Sequence, residues 1–336
     1  MNQIAFISDS NFIYWNSLIL MLAGICGVCL FIGLYLHKES NLYAAFITPP
    51  VAIALSLVLS RFIHWYCRAG SYTSLHSAMT DFTDGSFALV GVFAGCLLTA
   101  VLLRLLRLHK NLPKMLDCMA VAGAAAITLG RMACFFTNAD RGQIIESIQS
   151  LPWVYPVVNS VSGALEYRLA TFVIQAILAF VLFLVLGIML LSDRKGKRPC
   201  GDISMIFLLC YGASQILLDS TRYDSLYFRS NGVVSGVQVL SAVALVFVIV
   251  WCSIQMVRKR GFKLWFLAFW LGIAGAIGCA GYMECYVQRH GSEALFAYTV
   301  MGICLAVTVV ITLVIRMLAL TGHKKVPKYL ATKSLD

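Results

Sequence analysis

Residues 168–191 read RLATFVIQAILAFVLFLVLGIMLL, and the next seven, 192–198, read SDRKGKR. After its opening arginine the first stretch carries no charge. It is long enough to cross the hydrocarbon core of a membrane as a helix, which takes about 20 residues. The second stretch is strongly basic, as is typical of short loops on the cytoplasmic side of a membrane. This part of the chain therefore predicts an integral membrane protein.

Apolar stretches of similar length recur along the chain. The sequence predicts nine transmembrane helices, at 15–36, 43–66, 86–108, 115–136, 168–191, 203–219, 233–256, 264–284 and 294–318. Composition agrees, because 60% of the residues are hydrophobic and only 12% are charged, about half the charged fraction of a soluble domain. The predicted fold is all-α, a polytopic transmembrane helical bundle.

The basic residues predict how this bundle is oriented. Of the 26 lysines and arginines, 18 fall on one side of the predicted spans, and the other 8, all arginines, fall on the opposite side. The side rich in basic residues is expected to be cytoplasmic, which puts the N-terminus outside and the C-terminus in the cytoplasm. The net charge of +11 comes from these loops, and no basic face or motif indicates nucleic-acid binding.

Cysteines suggest neither a metal site nor a redox function. Most of the twelve lie inside apolar spans, where a thiol behaves as a small hydrophobic side chain. We expect no metal and no soluble cofactor.

Two arginines stand in or at the end of predicted spans, where charge is costly. Arg131 interrupts the span 115–136 and either snorkels to the outer interface or binds a phosphate inside the bundle. Arg61 ends the second span, and His64, three residues on, shares its helix face. That pair either binds phosphate and supplies a base, or His64 is an interfacial residue with an ordinary hydrogen bond.

A third polar cluster lies at the end of the sixth span. Gln215, Asp219 and Arg222 are spaced at i, i+4 and i+7, which is one stripe of a helix. Asp219 and Arg222 can form a local salt bridge. Alternatively, the carboxylate orients the arginine or accepts a proton.

These clusters, in this order, resemble the prolipoprotein diacylglyceryl transferase family. The stretch GRMACFF (130–136), followed by Gly142, is similar to the family signature, which begins Gly-Arg-Ile-Gly and ends in a glycine. YGASQILLDSTRYD (211–224) is similar to its Tyr-Gly…Glu…Arg-x-x-Asp segment, and SGVQVLS (235–241) to its Gly-Gln-x-Leu-Ser motif. The resemblance covers residues 12–256.

The resemblance divides the chain into two parts. Residues 1–257 are expected to form the seven-helix membrane domain of the family. Residues 258–336 are expected to add two further transmembrane helices and a basic cytoplasmic tail.

The chain departs from the family pattern at several polar positions. The His-Gly-Gly before the third span is absent, with Ser86 or Ala88 at the histidine position. Cys134 stands at an asparagine of the signature. Gln175 replaces a glutamate early in the fifth span, and Gln215 replaces the first arginine of the sixth-span motif.

The resemblance implies transfer of a diacylglyceryl group from phosphatidylglycerol to the lipobox cysteine of secreted lipoprotein precursors, at the bacterial cytoplasmic membrane. It implies substrate binding by four residues: Arg131, Arg222, Arg61 and Gln238. Three residues are alternative candidates for the base: Asp219, His64 and Asp140.

Two other functions stay open. The lost polar residues favour a catalytically degenerate relative that binds anionic phospholipid or a lipopeptide. A transporter would be marked by inverted repeats and broken helices, and the sequence shows neither.

The orientation is testable with reporter fusions. The asymmetry of basic residues predicts that a reporter inserted near Ser147 reads as external and one fused after Lys333 reads as cytoplasmic. The measurement is the activity of a compartment-specific reporter in intact cells. The opposite result at either position would contradict the arrangement of nine spans.

Overall fold

The computed structural model describes residues 4–8, 11–68, 70, 72–80, 87–109, 111–137, 140–144, 154–158, 163–193, 198–223, 225–228, 231–289 and 294–321. Three positions named above lie outside the described residues: Ser86, Ser147 and Lys333. Asp224, within the sixth-span motif, and the tail from 322 also lie outside them.

Ten α-helices form the described part of the chain. They are α1 (Trp15–Glu39), α2 (Leu42–Cys67), α3 (Leu75–Thr80), α4 (Leu89–Leu105), α5 (Leu112–Met132), α6 (Thr171–Ser192), α7 (Asp202–Ser220), α8 (Gly236–Arg260), α9 (Phe266–Arg289) and α10 (Ala294–Thr321). A short 3₁₀ helix, Ala133–Phe136, continues α5.

Most of these helices have the length and composition of membrane spans. Among the described residues, eight are long and apolar enough to cross a membrane: α1, α2, α5 with its 3₁₀ extension, α6, α7, α8, α9 and α10. The remaining predicted span corresponds to α4, which has 17 residues and is about 25 Å long. The prediction of a polytopic transmembrane helical bundle is confirmed.

Within the described residues, three short β-hairpins, which the sequence analysis did not predict, each precede a helix. Strands β1 (Ile4–Ser8) and β2 (Asn11–Tyr14) precede α1, β3 (Val154–Val158) and β4 (Leu165–Leu169) precede α6, and β5 (Tyr227–Phe228) and β6 (Asn231–Ser235) precede α8. All three pairs are antiparallel. The predicted spans at 168–191 and 233–256 therefore began too early, because their first residues belong to β4 and β6.

The chain folds as two compact units, Met1–Leu240 and Ser241–Asp336. In the first unit α5 packs against α1, α6 and α7, and α2 packs along α4. In the second unit α9 packs against α10, and Arg260 of α8 donates to the carbonyl oxygen of Leu318 at 2.7 Å. The division proposed from the sequence, at residue 257, stays a prediction.

Two glycines let α2 and α4 approach closely. Gly91 and Gly95, four residues apart on α4, face Ser60 and Ser56 of α2. A Cβ at Gly95 would lie 2.5 Å from the Cα of Ser56. Ser60 also donates to the carbonyl oxygen of Ala88 at 2.8 Å. Small residues at this spacing allow helix backbones to pack directly on each other in a membrane.

A buried carboxylate on α5 holds the first turn of α7. Asp117 is only 5% exposed, and its two oxygens accept from the backbone N–H groups of Gly201 and Ser204, at 2.8 and 2.7 Å. Free N–H groups and the helix dipole make a helix N-terminus favourable for an anion. This contact fixes one end of α7 against α5, while the opposite end carries Asp219.

The α2–α4 crossing predicts the effect of one added methyl group. We expect Gly95→Ala to destabilise the protein by about 1–3 kcal/mol, the usual cost of overpacking, since the new Cβ would collide with backbone. The control is Gly123→Ala on α5, where nothing lies within 4 Å of an added Cβ. Thermal unfolding in detergent measures both. Equal stability of the two variants would contradict the packing described here.

Candidate functional site

Two arginines from different helices converge on one carboxylate. Arg131 lies in the last turn of α5, and Arg222 follows the end of α7. Arg131 Nη1 donates to Asp140 Oδ2, and Arg222 Nη2 lies 2.6 Å from Asp140 Oδ1. The three side chains are between 11% and 14% exposed. Each oxygen of Asp140 thus accepts from a different guanidinium group.

The turn that carries Asp140 has an unusual backbone. Asp140 has a φ of 57°, in the left-handed region, which aspartate tolerates better than most residues. Gly142 follows, and a Cβ there would lie 2.7 Å from Leu169 Cβ and from Thr171 Oγ1. Its N–H donates to the carbonyl oxygen of Leu169 at 2.7 Å. The glycine therefore lets the turn lie directly against the start of α6, with Asp140 facing the arginines.

Arg141, between these two residues, is a site residue that the sequence analysis missed. It is 1% exposed and donates to the carbonyl oxygens of Cys134 and Thr137, at 3.0 and 2.9 Å. Its guanidinium lies 4.3 and 4.4 Å from the ring centroids of Tyr155 and Phe172. Burial lowers the pKa of Arg141 from its ordinary value, because it disfavours the charged form. In the sequence, the position of Arg141 between Asp140 and the final glycine of the signature could have identified it as a site residue.

Asp219 connects this cluster to α8. It is 2% exposed and accepts from Ser235 Oγ, while Arg222 Nη1 lies 3.4 Å from Asp219 Oδ1. The i, i+3 pairing of Asp219 with Arg222, one of the two sequence interpretations, is present. Arg222 thereby contacts two carboxylates, Asp219 and Asp140.

Gln238 caps the helix that begins beside Asp219. The Ser235 N–H donates to Gln238 Oε1 at 3.0 Å, and the Gln238 N–H donates to Ser235 Oγ at 3.1 Å. This reciprocal pair is a capping box, in which Ser-x-x-Gln satisfies two free N–H groups at a helix start. Gln238 thus holds Ser235 in place to bond Asp219. Ser235 itself was not singled out in the sequence, although Ser-x-x-Gln signals such a cap.

Arg61 and His64 form a second buried group on α2. They are 2% and 7% exposed, as expected for residues that share a helix face. The Tyr72 hydroxyl lies 2.9 Å from His64 Nδ1. The Arg61 guanidinium lies 5.8 and 5.4 Å from the ring centroids of Tyr72 and Phe87. Arg61 and His64 therefore both lie against Tyr72. The bonds described above link a different set of predicted residues: Arg131, Arg222, Asp140, Asp219 and Gln238.

The charges around Asp140 set its protonation state. Burial alone would raise the pKa of Asp140, but the positive charges of Arg131 and Arg222 outweigh it and lower the pKa to about 2. Asp140 is therefore ionised at neutral pH and is a weak proton acceptor. Asp140 and Asp219 together supply two carboxyl groups for the two guanidinium groups of Arg131 and Arg222.

One cysteine lies in the cluster, and two others are close together in the sequence of α1. Cys134 Sγ lies 3.3 Å from Asp140 Oδ2, which puts a thiol inside the cluster. Cys26 and Cys29 have the spacing of a Cys-x-x-Cys motif within α1, although both are free thiols. Within the described ranges, no group of three or more His, Cys, Asp and Glu residues could hold a metal ion.

Arginines and carboxylates that are buried and paired with each other define a class of helical membrane proteins with a polar site among their helices. Such residues are costly inside a membrane and are usually functional. The chain belongs to the prolipoprotein diacylglyceryl transferase family, whose profile matches residues 3–254. The match ends before α9 and α10.

Individual relatives are distant and carry one name. Proteins named phosphatidylglycerol–prolipoprotein diacylglyceryl transferase are 27% identical over 163 residues in Streptococcus suis, 23% over 214 in Streptococcus agalactiae and 20% over 269 in Bacillus licheniformis. These alignments cover 47%, 62% and 78% of this chain. The chain spans 59% of the length of the Streptococcus suis protein, 77% of the Streptococcus agalactiae protein and 94% of the Bacillus licheniformis protein.

The double ion pair predicts a large effect of neutralising Asp140. We expect Asp140→Asn to destabilise the protein by about 3–5 kcal/mol, since it leaves two buried cations short of one counter-charge. The control is Glu166→Gln, which breaks the 2.6 Å pair with Arg168 and should cost less, because it leaves one cation without its counter-charge instead of two. Thermal unfolding in detergent compares them, and a smaller loss for Asp140→Asn than for Glu166→Gln would contradict the assignment.

The same pair has a defined pH dependence. Because the folded pKa of Asp140 is about 2 and the unfolded value is about 3.9, its stabilising contribution is complete above about pH 4 and is lost as the pH falls towards 2. The difference in stability between wild type and Asp140→Asn should shrink over that window and stay constant at higher pH.

Proposed function

We propose that the chain transfers a diacylglyceryl group from phosphatidylglycerol to the lipobox cysteine thiol of a secreted lipoprotein precursor. Membership of the family and the names of the relatives support this activity. The observation that carries it for this chain is the pair of buried arginines, Arg131 and Arg222, held together by Asp140. Two guanidinium groups at one point form a site for a single phosphate.

The reaction replaces a carbon–oxygen bond with a carbon–sulfur bond. The precursor thiolate attacks the glyceryl carbon of the lipid, and glycerol phosphate leaves with the bonding electrons. Negative charge therefore grows on the phosphate, and fixed cations that face this charge lower the barrier. In the proposed mechanism Arg131 and Arg222 perform this role. The lipid phosphate takes over the guanidinium contacts that Asp140 makes without substrate.

The proton of the thiol must also be removed, because a free cysteine with a pKa of about 8.5 is mostly protonated at neutral pH. Asp219, His64 and Asp140 are the three candidates. The low pKa of Asp140 argues for an orienting role instead. We propose Asp219 as the base, since it borders Arg222 and is bonded by Ser235, with His64 as the second choice.

The remaining predicted binding residues take different roles in the proposal. Gln238 acts through Ser235, which it holds beside Asp219. Arg61 supplies a further cation on α2, next to Tyr72 and Phe87, and is proposed to contact the lipid or the precursor. No metal or soluble cofactor takes part.

A binding protein without turnover is the second candidate function. It is favoured by one observation: both arginines of the cluster already have carboxylate partners, so the site offers little excess positive charge to a phosphate. Loss of the His-Gly-Gly sequence favours it as well. Such a protein would bind an anionic phospholipid or a lipopeptide.

The proposed location is the bacterial cytoplasmic membrane, with the N-terminus outside and the C-terminus inside. In this orientation the ends of α5 and α7 that carry Arg131 and Asp219 face outward, where secreted precursors emerge. The distribution of basic residues supports it.

Asp219→Asn separates the two functions. It keeps the shape and hydrogen bonding of Asp219 but removes its charge. For a transferase we expect turnover to fall by about 10²–10⁴, the usual range for an acid–base group, while lipid binding is kept. For a binding protein, the variant should bind an anionic headgroup more tightly, because Arg222 loses a competing carboxylate.

The measurements are transfer to a lipobox peptide thiol and affinity for phosphatidylglycerol. The matched control is Asp193→Asn, at the end of α6, whose carboxylate accepts from the Arg198 N–H at 3.4 Å. It should leave both quantities unchanged. Undetectable transfer by wild type, together with tighter lipid binding by Asp219→Asn, would reject the transferase in favour of the binding protein.

A further inference from the structure

Two buried amide side chains meet between α6 and α7. Gln175 is fully buried, and Gln215 is 2% exposed. Gln175 Nε2 donates to Gln215 Oε1 at 3.2 Å. Both positions carry charged residues in the family pattern described above. In this chain two neutral amides occupy them, and the amides bond each other.

Each of these amides has one atom without a hydrogen-bond partner: Gln175 Oε1 and Gln215 Nε2. If the oxygen and nitrogen positions are exchanged in both amides, the hydrogen bond is kept and only the donating residue changes. Exchanging one of them would bring two nitrogens or two oxygens together and break the bond. The pair therefore always leaves one acceptor and one donor unsatisfied. Buried polar atoms of this kind are rare in folded proteins.

One free donor and one free acceptor define the chemistry of a suitable ligand. A hydroxyl group donates once and accepts, so it can satisfy both atoms. A phosphate oxygen only accepts, and an ammonium group only donates. The ligand is therefore a neutral group that both donates and accepts, and a hydroxyl, of an alcohol or of water, is the smallest group of this kind.

The pair lies next to the arginine cluster. Gln215 is one helical turn before Asp219 on α7, about 6 Å along the axis. Gln175 is one turn after Thr171, whose hydroxyl lies 3.2 Å from that of Thr221. Along the stripe from Gln215 through Asp219, Arg222 is about two turns away, so a phosphate at Arg131 and Arg222 would lie within about two helical turns of the amide pair.

We propose that Gln175 and Gln215 bind a hydroxyl of the glycerol headgroup of the donor lipid. This rests on the proposed function, because it assumes that the lipid phosphate occupies the arginine cluster. The subsite would make the protein selective for a headgroup with a hydroxyl over an otherwise equal headgroup without one. It is a subsite for recognition, distinct from the cations that stabilise the leaving phosphate.

The experiment compares two donor lipids with identical acyl chains, phosphatidylglycerol and phosphatidylpropanol, whose headgroup lacks hydroxyls. For wild type we expect the affinity, and kcat/KM for transfer to a lipobox peptide, to be about 10- to 100-fold higher with phosphatidylglycerol, the scale of one or two lost hydrogen bonds. The variant is Gln175→Met/Gln215→Met, which replaces both amides by apolar chains of similar shape. It should treat the two lipids within about threefold of each other.

Two design features keep the result interpretable. Removing both amides together leaves no orphaned partner, so the double variant should fold better than Gln215→Met alone. If it does not fold, Gln175→Leu/Gln215→Leu replaces it. The control is Gln255→Leu on α8, outside the site, which should keep the wild-type selectivity.

The outcomes separate this inference from the proposed function. Absence of transfer from either lipid counts against the transferase, but lipid selectivity is then still read from binding. Equal affinity of wild type for the two lipids overturns the subsite and leaves a water molecule as the ligand of the amide pair. Unchanged selectivity in the double variant also overturns it, because the hydroxyl is then recognised elsewhere.

Discussion

The structure of the first unit depends on one buried carboxylate that bonds two arginines from different helices. Arg131 belongs to α5 and Arg222 follows α7, and neither guanidinium could be buried at this depth without a counter-charge. Asp140 supplies it to both. Because Asp140 lies on the turn after α5, the same contact fixes that turn against α7. Charge compensation and helix packing are therefore achieved by the same few atoms.

The neighbouring features all serve to hold Asp140 and its partners in place. Arg141 bonds two carbonyl oxygens of the turn and is enclosed by two aromatic rings. Gly142 gives the turn room against the start of α6. On the other side, the capping box of Ser235 and Gln238 presents a hydroxyl to Asp219. A chain that lacks several polar residues of the family pattern thus still builds a cluster in which Arg131, Arg222 and Asp219 all have bonded partners, with partly different side chains.

The helices were predictable because the membrane imposes a simple rule on them: about 20 apolar residues span it, and 168–191 satisfies that rule without any tertiary information. Arg131 was identifiable for the same reason, as a charge where charge is costly, and Arg222 from its position on one helical stripe with Asp219. Their common partner was not, since Asp140 reaches Arg222 only after the chain has folded. The short hairpins were missed because two to five residues of strand give no periodic signal. Gln238 was chosen from the family resemblance. In the structure it caps the start of α8, a role that the Ser-x-x-Gln spacing alone would have indicated.

The contact between Asp117 and the first turn of α7 has a mechanical consequence. The opposite end of α7 leads to Arg222, which is tied through Asp140 to Arg131 on the same neighbour, α5. Helix α7, with 19 residues and a length of about 28 Å, is thus attached to α5 at both ends. It cannot slide along α5 without breaking both attachments. Its two ends are therefore fixed to α5 independently: a ligand that displaced Asp140 would release only the Arg222 end, and Asp117 would still hold the first turn.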